Sequence, residues 1–301
     1  MVSNQTAARP ALKAFLNSAG GSASKAREAL STGSFEVQEV QPKELEKSIR
    51  KAIDAGAQRI VVAGGDGTIG TAASLVAGTD IELAILPAGT LNHFAKDHGV
   101  PEDLSEAAEV AANGKVVGAD IAYVHDSVFL NTSSIGAYVT FVRVREGLEK
   151  YFGYRIASLF AAFRMLSGIR TFGLALEVEG VKKMYRTSMV FIGVGERELK
   201  MPTLGSRIPD GKRGLHVMVV QGRRPARLFA VALAGIARGT KEASKLPDFE
   251  SFVVDRCRID LARREATIAL DGELKRMNTP LEYRIERDSL RLVVSNSKED
   301  E

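Results

Sequence analysis

Short apolar runs alternate with amphipathic segments from the start of the chain as far as Gly118. The apolar runs predict β-strands at Leu12 to Leu16, Phe35 to Val40, Arg59 to Ala63 and Leu83 to Leu86. Apolar positions at helical spacing predict helices at about 24–31, 42–56 and 69–76. Strands alternating with helices are typical of a parallel sheet covered by helices, so residues 1–118 are predicted to form an α/β domain.

After Gly118 the pattern changes to frequent β-type runs separated by turn residues. These runs are Val128 to Asn131, Leu174 to Val178, Ser188 to Val194, Leu215 to Val220, Phe252 to Ile259 and Ala266 to Leu270. Two helical stretches, Ala137 to Leu166 and Arg227 to Lys245, interrupt them. Residues 119–288 are therefore predicted to form a mainly antiparallel β domain, and the run 289–295 suits a strand of either domain.

Composition and charge narrow the class of protein. A chain of 301 residues with 45% apolar content can bury two cores. A net charge of +4 and a pI near 9.1 favour an anionic partner, and the scattered basic residues without a recognition motif argue against nucleic acid. The single cysteine, Cys257, excludes an internal disulfide. With no export signal and no bilayer-length apolar run, the chain is expected to be cytoplasmic.

The most informative motif follows the third predicted strand. It reads Gly64-Gly65-Asp66-Gly67-Thr68 and precedes a helical pattern that begins at Ile69. Glycines let backbone N–H groups and the helix N-terminus approach phosphate oxygens closely. Asp66 can hold Mg²⁺ or orient a hydroxyl, and Thr68 can donate a hydrogen bond to phosphate. The alternative is a tight strand-to-helix turn, and an aspartate inside the loop argues against it.

A second Gly-Thr corner follows the next predicted strand, between Pro87 and Lys96. Because the carboxyl ends of adjacent parallel strands line one crevice, we expect the two loops to face the same nucleotide. Asn92 also suits a helix cap, and Phe94 is interpreted as a core residue. His93 and His98 lack metal-ligand companions and are interpreted as surface or packing residues.

Acidic residues stand in two turn-like segments nearer the C-terminus. Asp271-Gly272-Glu273 follows a β-type run, and such a pair of carboxylates can divide metal binding and proton removal. The sequence by itself favours an ordinary Asp-Gly hairpin turn at this place. Asp210-Gly211 is open to the same turn interpretation.

The two glycine loops resemble the Gly-Gly-Asp-Gly-Thr and Pro-x-Gly-Thr-x-Asn-x-Phe-Ala signatures of the diacylglycerol kinase and sphingosine kinase catalytic family, and the resemblance runs from about Leu12 to Arg291. It implies a three-layer α/β domain like those of NAD kinase and phosphofructokinase, joined to a C-terminal β-sandwich, with the active site in the cleft between them. It also implies ATP- and Mg²⁺-dependent transfer of the γ-phosphate to the hydroxyl of a membrane lipid of diacylglycerol type.

The same resemblance assigns roles to individual residues. Contacts with ATP are expected from Asn17, Gly21, Gly64, Gly65, Asp66, Gly67, Thr68, Gly70, Gly89, Thr90 and Asn92. Glu273 is the implied general base, with Asp271 in the metal and water network and Asp66 as an alternative base. A structural Mg²⁺ site is implied at the Asp210 carboxylate, with backbone carbonyls of Arg207 and Lys212.

Three departures from the family pattern bear on nucleotide affinity and selectivity. No proline follows Asn17, Val40 or Gln41 stands near a nucleotide-contacting threonine of the family, and Lys96 replaces a common arginine. The alternatives to a diacylglycerol-type lipid kinase are an NAD kinase-like enzyme, a sphingoid-base kinase and a non-catalytic lipid- or nucleotide-binding relative. The chain lacks the Asn-Glu or Asn-Asp pair of NAD kinases, which argues against the first of these.

A stretch from Val139 to Phe172 mixes basic and aromatic residues. The basic members are Arg143, Arg145, Lys150, Arg155, Arg164 and Arg170, and the aromatic members include Tyr151, Phe152, Tyr154, Phe160 and Phe163. Such a stretch suits peripheral contact with an anionic membrane surface, and equally a helix packed on its own β domain. The oligomeric state, a homodimer included, is not determined by the sequence.

Overall fold

The computed structural model describes residues 11–167, 170–198, 205–221 and 249–296. The chain divides into two compact units. The first unit comprises the residues up to Ala119 and those from Asp288 onward, and the second comprises Asp120–Arg287.

The first unit is built on parallel strands. These are β1 (Leu12–Asn17), β2 (Phe35–Val40), β3 (Arg59–Gly64) and β4 (Glu82–Pro87), in the order β2-β1-β3-β4. The end of the last strand of the chain, β15 (Leu281–Val294), pairs in parallel with β4 through Arg291 and Leu292. The predicted α/β architecture is confirmed.

Among the described residues of this unit, five helices accompany the sheet: α1 (Ala23–Ser31), α2 (Pro42–Asp54), α3 (Asp66–Val76), α4 (His93–Asp97) and α5 (Leu104–Asn113). Val61 and Ala63 of β3 share a buried cluster with α1 and α5, while Ile60 and Val62 are buried on the opposite face. Both faces of β3 are therefore buried from solvent, which explains its continuous apolar run. Asp103 caps α5 by accepting from the N–H groups of Ser105 and Glu106, both at 3.0 Å.

The second unit is mainly antiparallel. Its elements are β5 (Lys115–Val124), β6 (Ser127–Phe129), β7 (Thr132–Gly136), α6 (Ala137–Ser167), β8 (Phe172–Val178), β9 (Val181–Val194), β10 (Leu215–Gln221), β11 (Phe249–Val254), β12 (Arg256–Leu261), β13 (Glu265–Leu270), β14 (Glu273–Asn278) and the first part of β15. Strand β9 pairs with β7, β8 and β10. The inward side chains form one apolar cluster that includes Ile135, Val190, Ile192 and Ile259. The predicted β-rich C-terminal architecture is confirmed.

Several predicted boundaries were wrong. The run Phe252 to Ile259 is two strands, β11 and β12, interrupted at Asp255. Helix α3 begins at Asp66 rather than Ile69, so the end of the glycine motif forms its first turn. Strands β7 and β14 were missed because their sequences, TSSIG and ELKRMN, lack an alternating apolar pattern.

Helix α6 matches the predicted stretch, with a kink at Gly153, where φ is 72°. The helix predicted at Arg227 to Lys245 lies outside the described residues. Across the part of the chain that the structure describes, no helix is both long and apolar enough to cross a bilayer.

Candidate nucleotide site and the carboxylates of the second unit

The predicted nucleotide loops lie at one edge of the parallel sheet. Leu16 is level with Ala63, and Gly64 is level with Pro87, so β1, β3 and β4 end side by side. The segments that follow them carry Asn17, the glycine motif and the second Gly-Thr corner. The sheet therefore brings the three predicted segments together.

The first two segments are joined by a side-chain hydrogen bond. Asn17 Nδ2 donates to Thr68 Oγ1 at 2.9 Å, and Asn17 Oδ1 accepts from the N–H of Ala19 at 3.0 Å. Thr68 is buried, and because its oxygen accepts from Asn17, its hydroxyl hydrogen is left to donate elsewhere. Asn17 thus orients the hydroxyl that was predicted to meet a phosphate.

The glycine loop and the second corner touch through their backbones. A Cβ built at Gly89 would lie 2.4 Å from the Cα of Gly65, and one built at Gly65 would lie 3.3 Å from the Cα of Gly89. The N–H of Ala88 donates to the carbonyl of Gly64 at 3.0 Å, and the N–H of Phe94 points to Asp66 Oδ1 at 3.4 Å. Glycine is therefore needed at position 89 for loop packing, whatever the loops bind.

Asn92 organises the second corner from within. It is the N-cap residue of α4, in the left-handed conformation at φ 52°, but makes no side-chain cap hydrogen bond. Instead its Nδ2 donates to the carbonyls of Pro87 and Gly89, and its Oδ1 accepts from the N–H of Gly89, all at 3.0 Å. The amide is 6% exposed. Asn92 therefore acts on the shape of the loop.

The residues next to Asn92 have the structural roles that the sequence predicted for them. Phe94 is buried, which confirms it as a core residue, and His98 packs on its ring with centroids 4.5 Å apart. His93 is exposed. Among the departures from the family pattern, Gln41 Nε2 donates to Ser18 Oγ at 2.7 Å, and Lys96 pairs with Glu102 at 3.2 Å.

The edge of the sheet offers a phosphate cradle. The first N–H groups of a helix have no partner within the helix, and α3 begins with Asp66, Gly67 and Thr68. Gly67 and Thr90 are exposed, and Cβ atoms built at Gly21 and Gly70 would meet nothing within 4 Å. These backbone groups fit a nucleotide triphosphate.

The fit to Mg²⁺ is of a different kind. No group of three or more His, Cys, Asp or Glu side chains able to hold a metal occurs among the described residues. Mg²⁺ in kinases is commonly held by one or two carboxylates together with substrate phosphates. Asp66, beside the first-turn amides of α3, matches that requirement.

In the second unit, Asp271 is tied to backbone N–H groups. Its Oδ2 accepts from Leu130 at 2.7 Å, and its Oδ1 accepts from Asn131 and Thr132 at 2.8 Å. Desolvation raises the pKa of the Asp271 carboxyl above its usual value, while these three donors act in the opposite direction. Asp271 lies in the turn between β13 and β14, in the left-handed conformation at φ 46°. The hydrogen bonds fix that turn to the start of β7.

Glu273 is more exposed than Asp271. It is the first residue of β14 and its side chain is exposed. The turn before it is held by Arg145, whose Nη2 donates to the carbonyl of Gly272 at 3.1 Å. Of the two predicted carboxylates, Glu273 is therefore the one presented to solvent.

The segment proposed for a structural Mg²⁺ has its own hydrogen bonds. Asp210 is exposed in a turn. The Lys212 carbonyl accepts from the N–H of Glu196 at 3.0 Å, and the Lys212 N–H donates to Glu196 Oε2 at 2.9 Å. The guanidinium of Arg207 lies 3.5 Å from Asp120 Oδ2.

Asp120 was missed in the sequence. This buried carboxylate on β5 accepts from Arg213 Nε at 2.9 Å, and Arg213 Nη2 contacts its other oxygen. A lone aspartate between the apolar residues Ala119 and Ile121 was the available signal, because such a charge is rarely buried without a partner.

A parallel α/β unit with a glycine-rich loop after its third strand, followed along the chain by an antiparallel β unit, is the fold class that the resemblance implied. The sequence profile of the diacylglycerol kinase catalytic domain matches residues 4–124. The match covers less than half of the chain, and over those residues it confirms the resemblance carried by the two glycine loops.

The curated relatives match over part of their length. A "Probable lipid kinase YegS-like" protein of Cronobacter sakazakii is 40% identical over 96 residues, 31% of this chain and 32% of that protein. One from Pseudomonas putida is 31% identical over 154 residues, 50% of each chain. A "Diacylglycerol kinase" of Mycobacterium tuberculosis is 28% identical over 138 residues, 44% of this chain and 45% of that protein. The chain therefore matches about a third to a half of the length of these relatives.

A solved structure shares the fold over nearly the whole chain. The crystal structure of a diacylglycerol kinase from Bacillus anthracis superposes with a TM-score of 0.67 at 20% identity, covering 95% of this chain and 97% of that one. At this identity the likeness concerns the fold alone.

Proposed function

We propose that this protein is a lipid kinase that transfers the γ-phosphate of ATP to a hydroxyl of a diacylglycerol-type membrane lipid, with Mg²⁺ as cofactor. The observation that carries the proposal is the meeting of three segments at one sheet edge, where Gly65 and Gly89 touch and Asn17 orients Thr68. Such an edge suits a triphosphate because the first N–H groups of a helix, next to glycines, can donate to phosphate oxygens. The match of residues 4–124 to the diacylglycerol kinase catalytic domain supports the kinase activity and the class of acceptor.

The residues of the first unit bind and orient. The amides at the start of α3 hold phosphate oxygens, and Thr68 donates its hydroxyl hydrogen in the direction that Asn17 fixes. Asp66 is the residue that would hold Mg²⁺, whose chemistry there is to neutralise the charge of the β- and γ-phosphates. Phosphoryl transfer depends mainly on such alignment and charge neutralisation.

The proton of the acceptor hydroxyl needs a base. Glu273 is exposed, whereas the Asp271 oxygens accept three backbone N–H groups, so we assign the base to Glu273 and a positioning role to Asp271. Asp66 is the second candidate for the base. The two candidates differ in their effect on ATP binding, because Asp66 also lies at the phosphate cradle.

The experiment is incubation of the purified protein with γ-³²P-labelled ATP, Mg²⁺ and a mixed lipid extract, followed by identification of the labelled lipid. Glu273→Gln is expected to lower kcat by about 100-fold or more with unchanged ATP affinity. Asp66→Asn is expected to lower both kcat and the affinity for ATP. The exposed residues Glu179 and Asp80 supply matched controls, Glu179→Gln and Asp80→Asn, with parental kcat.

Two results would contradict the proposal. ATP binding without any labelled lipid, from any fraction of the extract, points to a non-catalytic nucleotide-binding relative. Labelled NADP from added NAD, with no labelled lipid, points to an NAD kinase-like enzyme.

A further inference from the structure

Helix α6 has a packed beginning and an exposed later part. Val139 and Val142 are buried against Ala269, with Tyr138 and Leu274 packed around them. Beyond them, Tyr151, Ile156 and Phe160 are 80%, 51% and 63% exposed. Ile156 and Phe160 lie one helical turn apart after the kink at Gly153, so their exposed apolar side chains adjoin and mark an interaction surface.

Helical spacing places the second part of this surface on one face. Ile156 and Phe160 are four residues apart, and Arg164 follows four residues later on the same face. Arg164 is exposed, as are Arg143 and Arg170 at the two ends of the stretch. The side chains of Lys150, Phe152, Tyr154, Arg155 and Phe163 lie outside the described part of the helix.

We propose that the α6 face, defined as Ile156, Phe160 and Arg164, docks on an anionic phospholipid surface, with exposed Tyr151 and Arg143 before the kink and Arg170 beyond the helix as neighbours in the sequence. Arginines around aromatic and aliphatic side chains suit the boundary between acyl chains and acidic head groups. Across this stretch, Glu146 is the exposed acidic residue among those that the structure describes, so the charge is complementary to acidic lipid. The inference rests on the proposed function, because a lipid acceptor is presented at such a surface.

The size of the face favours a bilayer over a second copy of this chain. The aromatic side chains Tyr151 and Phe160 supply about 150–250 Å² each and Ile156 adds less, whereas a stable protein–protein interface buries about 1,200 Å² or more in total. A bilayer needs no complementary shape, because each apolar side chain that enters the head-group layer contributes independently. The kink at Gly153 divides the helix between Tyr151 and the pair Ile156 and Phe160.

Co-sedimentation of the whole protein with vesicles of phosphatidylglycerol and phosphatidylcholine tests the proposal. The double variant Ile156→Ser/Phe160→Ser is expected to bind vesicles about tenfold or more weakly. Parental binding is expected to fall as salt is raised from 0.05 to about 0.5 M, because the arginines are screened. The matched control replaces two other exposed apolar residues of the second unit, Val181→Ser/Met184→Ser, and is expected to bind as the parent does.

Activity on two forms of the acceptor separates this inference from the proposed function. The Ile156→Ser/Phe160→Ser variant is expected to lose about tenfold in kcat/KM on vesicle-borne diacylglycerol and nothing on a monomeric short-chain diacylglycerol. If this variant binds vesicles as tightly as the parent does, the docking proposal is overturned and the kinase assignment is left intact. A change from dimer to monomer in sedimentation velocity, with vesicle binding unchanged, assigns the face to a second copy and also overturns it. No phosphorylation of either acceptor by the parent refutes the kinase assignment instead.

Discussion

The backbone contact between the two loops makes Gly89 the position where one methyl group tests the nucleotide site most sharply. A Cβ at residue 89 lies 2.4 Å from the Cα of Gly65 and 2.7 Å from Asn92 Oδ1. Carbon atoms in contact are about 3.5–4.0 Å apart, so the loops must separate by about 1 Å. The same movement breaks the hydrogen bond that the Gly89 N–H donates to Asn92.

The magnitude follows from these two effects. Overpacking costs about 1–3 kcal/mol, and the lost hydrogen bond costs about 1 kcal/mol more. The free energy of unfolding of Gly89→Ala is therefore expected to fall by about 2–4 kcal/mol. ATP affinity should fall too, because the second corner no longer lies against the first turn of α3.

Urea unfolding followed by circular dichroism measures the first quantity, and calorimetric titration with ATP measures the second. Gly70→Ala is the stability control, because a Cβ at Gly70 meets nothing within 4 Å and a helix favours alanine by about 1 kcal/mol. Its stability is expected to equal or exceed that of the parent. Parental stability and ATP affinity in Gly89→Ala would refute the contact between the loops.

Three further predictions concern groups with defined hydrogen bonds. Burial lowers the pKa of His216 to about 4, with Nδ1 accepting from the Arg197 N–H, so stability is full above pH 6.5 and falls by about 3 kcal/mol as the pH drops towards 4. Urea midpoints across this range should show a smaller decline in His216→Gln, and an equal decline excludes the histidine. Asp271→Asn removes the charge that three N–H groups face and turns an NH₂ group, which cannot accept, towards at least one of them. The free energy of unfolding should fall by about 2–3 kcal/mol, and an unchanged urea midpoint would contradict the role of these hydrogen bonds in fixing the turn. Asn92→Ala should lower the free energy of unfolding by about 2–3 kcal/mol in the same assay, whereas the control Asn113→Ala, at an exposed position, should lower it by less than about 0.5 kcal/mol. Equal losses in the two variants would contradict the role of Asn92 in holding the second corner together.

Much of the first unit could be predicted because its signals are local. The run Arg59 to Ala63 is apolar on both faces, and the glycines after it mark the turn, so β3 and its loop were found nearly to the residue. The start of α3 was missed because Gly67 is a poor helix former, whereas in the fold it occupies the first turn.

The second unit was harder because its decisive contacts join distant residues. Asp271 is held by N–H groups about 140 positions earlier in the chain, and no local pattern distinguishes that from a plain hairpin turn. Asp120 depends on Arg213 in the same way, 93 positions later. Strand β14 is polar because its side chains are largely exposed, so alternation gave no signal.

The central claim is that the backbone between Gly64 and Thr68 binds the phosphates of ATP. Selective ¹⁵N labelling of glycine and titration with Mg²⁺ and ATP tests this directly, since Gly65 and Gly67 report from the loop while Gly56 and Gly78 report from remote turns. The amide resonances of Gly65 and Gly67 are expected to shift with saturation, and those of Gly56 and Gly78 to stay in place. Unmoved loop resonances in a protein that is saturated with ATP would contradict the account.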